Sequence, residues 1–235
     1  MHETAKQLHM KQNILQQLKE RFLGYKYYSR EERAVYIIRH FREYLSGEVL
    51  DVGSGGAGLC SYLNKCISID LNPVVHPDVF VNLEEGNLPF ASNSFDCVVC
   101  ADVLEHLENL HHIFAELVRV SRQYLIISLP NNWLSARAII CKGSHTRSMK
   151  YYGLLPIEKP FDRHRWFFGY TEAEDFVYGM ATRMNLQVIQ CKPYFGARNQ
   201  IKAILLRPWV SSRRLHNLFA SALWTILKVR AVNAE

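Results

Sequence analysis

Apolar positions follow two different periods along the chain. From 30 to 45, Ala34, Ile37, Ile38, Phe41 and Leu45 recur at spacings of three and four, which predicts an amphipathic helix with one buried face, ended by Gly47. Residues 5–23 read as an earlier, more polar helix. From 49 onward the apolar residues gather into short runs: Val49–Val52, Cys66–Asp70, Val79–Val81, Phe95–Cys100 and Tyr124–Leu129. Helical stretches at 59–64 and 104–121 lie between them. Strands alternating with helices at this interval predict βαβ units and a parallel sheet. Pro130 closes the fifth run. Thr171 with Glu174 three residues on reads as a capping box opening a helix to about Met184. Leu186–Gln190 and Ala203–Leu206 then supply a closing, hairpin-like pair of strands. The expected fold is an α/β, doubly wound, seven-stranded sheet, mostly parallel with one antiparallel strand.

Two stretches fall outside that count. Residues 131–165 carry seven Lys and Arg (137, 142, 147, 150, 159, 163, 165) against two acids (158, 162), with Tyr151 and Tyr152 inside and Trp166 and Phe167 just after. A loop of that length is usually functional or disordered, and it is read here as a substrate lid. Residues 211–230 place Leu215, Leu218, Phe219, Ala222, Leu223, Ile226 and Leu227 on one helical face, flanked by Arg213, Arg214, Lys228 and Arg230. This predicts an extra C-terminal amphipathic helix, which either lies in a membrane interface, covers the sheet edge or makes a homodimer contact. The expected division is a helical cap over 1–46, a catalytic domain over 47–207 and the C-terminal helix in 208–235.

Composition narrows the picture further. In 235 residues, 49% are hydrophobic and 21% charged, the balance of a globular chain with a core and not of a disordered one. A formal net charge of +6 favours anionic partners. No separate nucleic-acid-binding module is visible, so nucleic acid is not the expected partner. The six cysteines do not spell a disulfide framework. Cys66, Cys97 and Cys100 sit in apolar runs as small hydrophobes. Cys97 and Cys100, three apart on a strand, point to opposite faces and cannot share a ligand. A reducing cytoplasm is expected, with peripheral attachment at its membrane face as the alternative. The first residues show no apolar signal segment, and Leu215–Leu227 is too short to span a bilayer.

Chemistry concentrates at Gly53-Ser54-Gly55-Gly56-Ala57-Gly58, between a strand and a helix, with Asp70 17 positions after Gly53 (70 − 53) at the end of the next strand. Glycines here permit a tight turn and close approach of backbone to a ligand, and the acid suits ribose hydroxyls. By that spelling alone a nicotinamide dinucleotide is a candidate. Asp51 argues otherwise. A carboxylate two residues before the first glycine suits a cationic ligand, not a pyrophosphate.

Several consecutive segments resemble the class I S-adenosylmethionine-dependent methyltransferases, a Rossmann-like family. Val49-Leu50-Asp51-Val52-Gly53-Ser54-Gly55 is similar to their first motif and Ser68-Ile69-Asp70-Leu71 to their second. Leu88 to Asp96 resembles their loop into strand four, and Ala101-Asp102-Val103-Leu104-Glu105-His106-Leu107 the segment after it. The likeness is close over about 47–130 and holds in element order only over about 166–206. It implies S-adenosyl-L-methionine as cofactor. Asp51, Gly53, Ser54, Gly55 and Gly58 would hold its methionine end, and Asp70, with Leu71 beside it, its ribose. Asn82 and Leu83 would border the adenine, and Ala101 and Asp102 would face the transferring methyl. Gly56 departs from the many relatives that have a larger residue there.

On the acceptor side, His106 and His164 are the candidate bases. His164 stands in the basic-aromatic run Phe161-Asp162-Arg163-His164-Arg165-Trp166-Phe167-Phe168. Asp102, Glu105 and His106 match an acid-x-x-Glu-His group that some quinone-pathway O-methyltransferases use for a divalent metal. The same spelling is common without one, and no metal is expected. The expected function is methylation of a small-molecule, glycan or lipid-linked acceptor, anionic or sugar-like, on oxygen. The alternatives are an NAD-linked oxidoreductase and a non-catalytic, cofactor-binding member of the fold.

Overall fold

A computed structural model describes residues 20, 23–56, 58–143 and 163–230. The readings made for 5–19 and for 144–162, most of the lid, lie outside them. Seven strands, β1 (Val49–Val52), β2 (Cys66–Asp70), β3 (Val79–Phe80), β4 (Phe95–Ala101), β5 (Ser121–Pro130), β6 (Leu186–Tyr194) and β7 (Ala222–Val229), form one sheet in the order β3-β2-β1-β4-β5-β7-β6. β7 runs antiparallel to both its neighbours, and the β1, β2, β3, β4 and β5 pairings are parallel. This is the expected mostly parallel, Rossmann-like sheet.

Both faces are covered. On one lies α1 (Arg30–Phe41), whose Ala34, Ile37 and Phe41 pack with Val99, Trp224 and Ile226. Ser29 and Glu32 close a capping box at its start, satisfying backbone N–H groups that would otherwise lack partners. On the other face lie α2 (Leu110–Val120) and α4 (Tyr170–Arg183), packed over Val98, Cys100, Leu125 and Ile127. Cys97 and Cys100 fall in opposite cores, as their spacing requires. Between β5 and α4 the chain forms α3 (Asn132–Lys142), and between β6 and β7 it forms α5 (Ala197–Leu206) and α6 (Ser212–Phe219).

Four expectations are corrected. First, Ala203–Leu206 is not a strand but the end of α5, with Ala203 alone of these four buried. Second, 211–230 is not one helix. Only Ser212–Phe219 is helical, and Ala222–Val229 is a strand between β5 and β6, so no domain boundary falls at 207. The apolar residues of β7 are buried on both faces: Ala222, Trp224 and Ile226 on one, Leu223 and Leu227 on the other. Such a strand is a continuous apolar run, which satisfies spacings of three and four without being helical. Third, the cap of α4 is Gly169 with Glu172, two residues before the expected pair, because Thr171 is held by Asn217 instead. Fourth, Cys66 is no free thiol. Cys60, in the 3-10 turn after the glycine loop, brings its Cα within 5.1 Å of that of Cys66 at the start of β2, and the two form a disulfide. No helix among the described residues is long and apolar enough to cross a membrane.

Candidate active site

β1 pairs with β2 on one side and β4 on the other, so the strand order reverses at β1, and the loops leaving these strands open a crevice at the carboxyl edge of the sheet. The glycine turn forms its floor. The N–H groups of Gly53 and Ser54 both donate to the Ile69 carbonyl, at 2.9 and 3.2 Å. Gly53 has φ +65°, and a Cβ there would lie 2.4 Å from Val103 Cγ2. Both facts require glycine. Gly55 N–H donates to Asp70 Oδ2 at 2.7 Å, and Asn72 N–H donates to Asp70 Oδ1 at 2.8 Å. Asp70 is thereby fixed at the lip of the turn, with lone pairs left over for ligand hydroxyls.

Asp51, on β1, is buried, and burial pushes its carboxyl up to about 7; Arg33 opposes the shift and Asp70 adds to it. A buried, half-ionised carboxylate beside an open turn is a prepared receptor for a cation. Leu71 is exposed at the crevice margin, and Leu83 is buried. Asn82 caps the 3-10 turn that carries Leu83, its Oδ1 accepting from Glu84 N–H and its Nδ2 donating to Glu85 Oε1.

Ala101 ends β4, buried, and Asp102 follows in the left-handed region at φ +55°. Its Oδ1 accepts from Ser128 Oγ at 2.5 Å and its Oδ2 from Arg33 Nη1 at 2.6 Å. Burial opposes the charge of Arg33, and Asp102, joined by Tyr27 and Glu105, outweighs it, leaving the guanidinium pKa raised. The neighbouring Tyr27 phenol is driven well up, by burial first and by Asp102 next. Arg30 also leaves α1 to donate to the Gly55 carbonyl at 3.2 Å. Helix α1 therefore reaches into the crevice with two guanidinium groups.

Sequence reasoning missed Arg33. The signal was present: Arg33, Ile37 and Phe41 are four apart and share the buried face.

His106 and His164, separately named as bases, stand together. Their rings are 4.5 Å apart between centroids, at 75°. Glu105, fully buried, joins them, with 3.6 Å between Glu105 Oε1 and His106 Nε2. One ligand-type atom from each of the three lies within 4.8 Å of the others. Asn132, also missed from sequence, orients His164. Its Nδ2 donates to the Trp166 carbonyl at 2.8 Å, so its Oδ1 faces His164 Nδ1 at 3.1 Å. Because an amide oxygen only accepts, that bond puts the imidazole proton on Nδ1.

The strap 163–168 is stitched across the segment after β4. Arg165 N–H and Trp166 N–H donate to the Glu105 carbonyl at 2.8 and 3.2 Å, and the Trp166 indole N–H donates to the Leu107 carbonyl at 2.6 Å. The donor set is one carboxylate and two imidazoles, which suits a divalent transition ion better than magnesium. Asp102, which shares the acid-x-x-Glu-His spelling with Glu105 and His106, turns away from them to Arg33 and Ser128.

Residues 50–127 match a family model described as a methyltransferase domain. Among solved structures, an S-adenosylmethionine-dependent methyltransferase from Mesorhizobium loti aligns with a TM-score of 0.52 at 16% identity, covering 85% of this chain and 98% of that one. A further one from Archaeoglobus fulgidus gives 0.52 at 17%, covering 90% and 97%. The small RNA methyltransferase HEN1 gives 0.54 at 16% over 87% of this chain, which spans only 26% of that longer chain. At these identities the likeness is one of fold. No curated protein matches the chain.

Proposed function

We propose that this chain, which carries a methyltransferase domain over residues 50–127 on the fold of the class I S-adenosylmethionine-dependent methyltransferases, moves a methyl group from S-adenosyl-L-methionine to an oxygen of a small-molecule, glycan or lipid-linked acceptor. The observation that carries the reading is the convergence of Asp51, the glycine turn and Asp70 in one crevice, with Glu105, His106 and His164 on the segments that border it. S-adenosyl-L-methionine supplies an electrophilic methyl and its own leaving group, so the chain has only to bind, align and manage one proton. Asp51 faces the cationic end of the ligand, and Asp70 accepts from its ribose hydroxyls. The Arg33–Asp102 pair fixes the wall where the methyl is delivered.

Calorimetry should show binding of S-adenosylmethionine and its demethylated product. Asp70→Ala should weaken that binding by about 1–3 kcal/mol, the scale of a hydrogen bond at a charged acceptor. Heat from NAD and none from S-adenosylmethionine overturns the assignment. Labelled methyl transfer into lipid and carbohydrate extracts then identifies the acceptor class.

The cluster of Glu105, His106 and His164 favours a second element of this reading. Three ligand atoms converge where a general base needs one, so these residues would hold a divalent cation. Bound there, such an ion would supply Lewis acidity toward an acceptor hydroxyl. Titration with Mn²⁺ should show one saturable site, lost in His164→Ala while S-adenosylmethionine affinity is kept. Absence of saturable binding leaves His106 and His164 as bases.

A further inference from the structure

Helix α5 and the turn after it carry an uncovered apolar surface. The inner side of α5 packs through Ala203 onto Leu215 and Phe219 of α6. On its outer side, Ile204 and Leu205 are 59% and 64% exposed, and Trp209, just beyond, is 79% exposed. Ile201 and Leu206 are exposed as well. Isolated exposed apolar residues are ordinary, but five within nine positions of one excursion are not.

The charge around them is mainly basic. Arg198, Lys202, Arg207, Arg213 and Arg214 are exposed, and the sequence has no Asp or Glu in 176–234; Arg213 is paired with Asp175 at 3.1 Å, which leaves the other four as the rim. The excursion also has a definite place. Tyr194, which ends β6, pairs with Ala222, which begins β7, and Ala222 pairs with Pro130 at the end of β5. The patch therefore leaves the sheet at the same edge as the crevice.

We infer that the α5–Trp209 face docks on an anionic lipid surface. The aliphatic side chains and the indole enter the headgroup boundary, and the cations meet lipid phosphates. An amphipathic helix, an exposed tryptophan and a mainly basic rim match that environment on both counts: apolar area gains burial, and Arg198, Lys202, Arg207 and Arg214 are of the attractive sign. This moves the membrane contact expected for 211–230 to another element, since the apolar residues of β7 are spent in the core. It deepens the proposed methyl transfer, on which it rests for one consequence only: an enzyme whose crevice faces the bilayer takes a lipid-linked acceptor.

The test uses the full chain and vesicles of phosphatidylcholine with or without phosphatidylglycerol, in low salt. The chain should sediment with the anionic vesicles and about tenfold less with the neutral ones, as expected for several cations contributing at the surface. Leu205→Glu and Trp209→Ala should each lower anionic binding by about tenfold, a change of about 1.4 kcal/mol, with calorimetric S-adenosylmethionine binding unchanged. That second measurement separates loss of docking from misfolding and from failure of the methyltransferase reading. Sedimentation that ignores both variants, or none with either vesicle, overturns the inference. A dimer in light scattering that Leu205→Glu dissolves overturns it in favour of a second copy. Retention of short RNA that the same variants abolish, without vesicle binding, overturns it in favour of nucleic acid.

Discussion

Asp51 provides a way to watch the cofactor arrive. Its carboxyl has a pKa pushed up to about 7 by burial, so about half the molecules carry its proton at pH 7, about nine-tenths at pH 6 and about one-tenth at pH 8. A ligand that brings an ammonium and a sulfonium favours the ionised carboxylate. Binding should then expel about 0.9 proton at pH 6, about 0.5 at pH 7 and about 0.1 at pH 8. Titration calorimetry in pairs of buffers with different ionisation heats reads these numbers directly. Asp51→Asn should abolish the buffer dependence and weaken affinity by about 1.5–3 kcal/mol, the scale of a hydrogen bond to a charged group. The same carboxyl links to stability. Its folded pKa lies above the unfolded value, so the folded state holds the extra proton, and the stabilisation is complete below about pH 4 and lost as pH rises to about 7. For the ligand-free protein this amounts to on the order of 4 kcal/mol. Binding enthalpies at pH 6 that are identical in all buffers would refute the argument.

The partly buried pair of Arg33 and Asp102 should be visible in a double-mutant cycle. Arg33→Ala should cost about 2–4 kcal/mol in urea unfolding, because it strands a partly buried carboxylate. Asn at 102 tolerates the left-handed backbone, so a coupling below about 0.5 kcal/mol in the Arg33→Ala, Asp102→Asn cycle would show the pair to be ornamental. Gly53→Ala should lower stability by about 2–4 kcal/mol, combining positive φ with a Cβ driven into Val103. Part should return in a Val103→Ala background, and strictly additive thermal shifts contradict the contact. Trp224→Ala, which empties the core between β7 and α1, should cost about 3–5 kcal/mol in the same melts, and a loss under about 1 kcal/mol would mean the strand is not packed as described.

The first half of the sheet was legible because its strands are short, bounded runs and the turn at Gly53 has few alternative uses. The bounds of β1 and β2 agree with the sequence reading to the residue. The second half was not, and the reason is burial. An apolar run says that residues avoid water, not how. Ala203-Ile204-Leu205-Leu206 is apolar yet mostly exposed on α5, while Ala222–Leu227 is buried on both faces and admits any period. The site divided in the same way. Asp51, Asp70 and the glycines are joined by two neighbouring strands, so local motifs located them. Glu105 and His164 lie 59 positions apart (164 − 105), and what joins them is the strap hydrogen-bonded to the Glu105 carbonyl through Arg165 and Trp166. Nothing in the spacing of either motif announces that meeting. Arg33 was hidden by its charge, which made a buried helical position look solvated.

The place of β7 constrains the order in which the molecule can be made. Among the described residues, β6 has no partner in the sheet other than β7, and β5 has nothing on that side until β7 inserts. During synthesis the β1–β5 half, with its crevice, can assemble while β6 emerges with two bare edges. It stays so until residue 229 has left the ribosomal tunnel, some 35 residues after β6 was complete (229 − 194). An unpaired strand of this kind is a site for wrong pairing with a neighbouring nascent chain. A chain cut short between 194 and 222 therefore has its ligand turn in place and its sheet unfinished, with both edges of β6 open to wrong pairing.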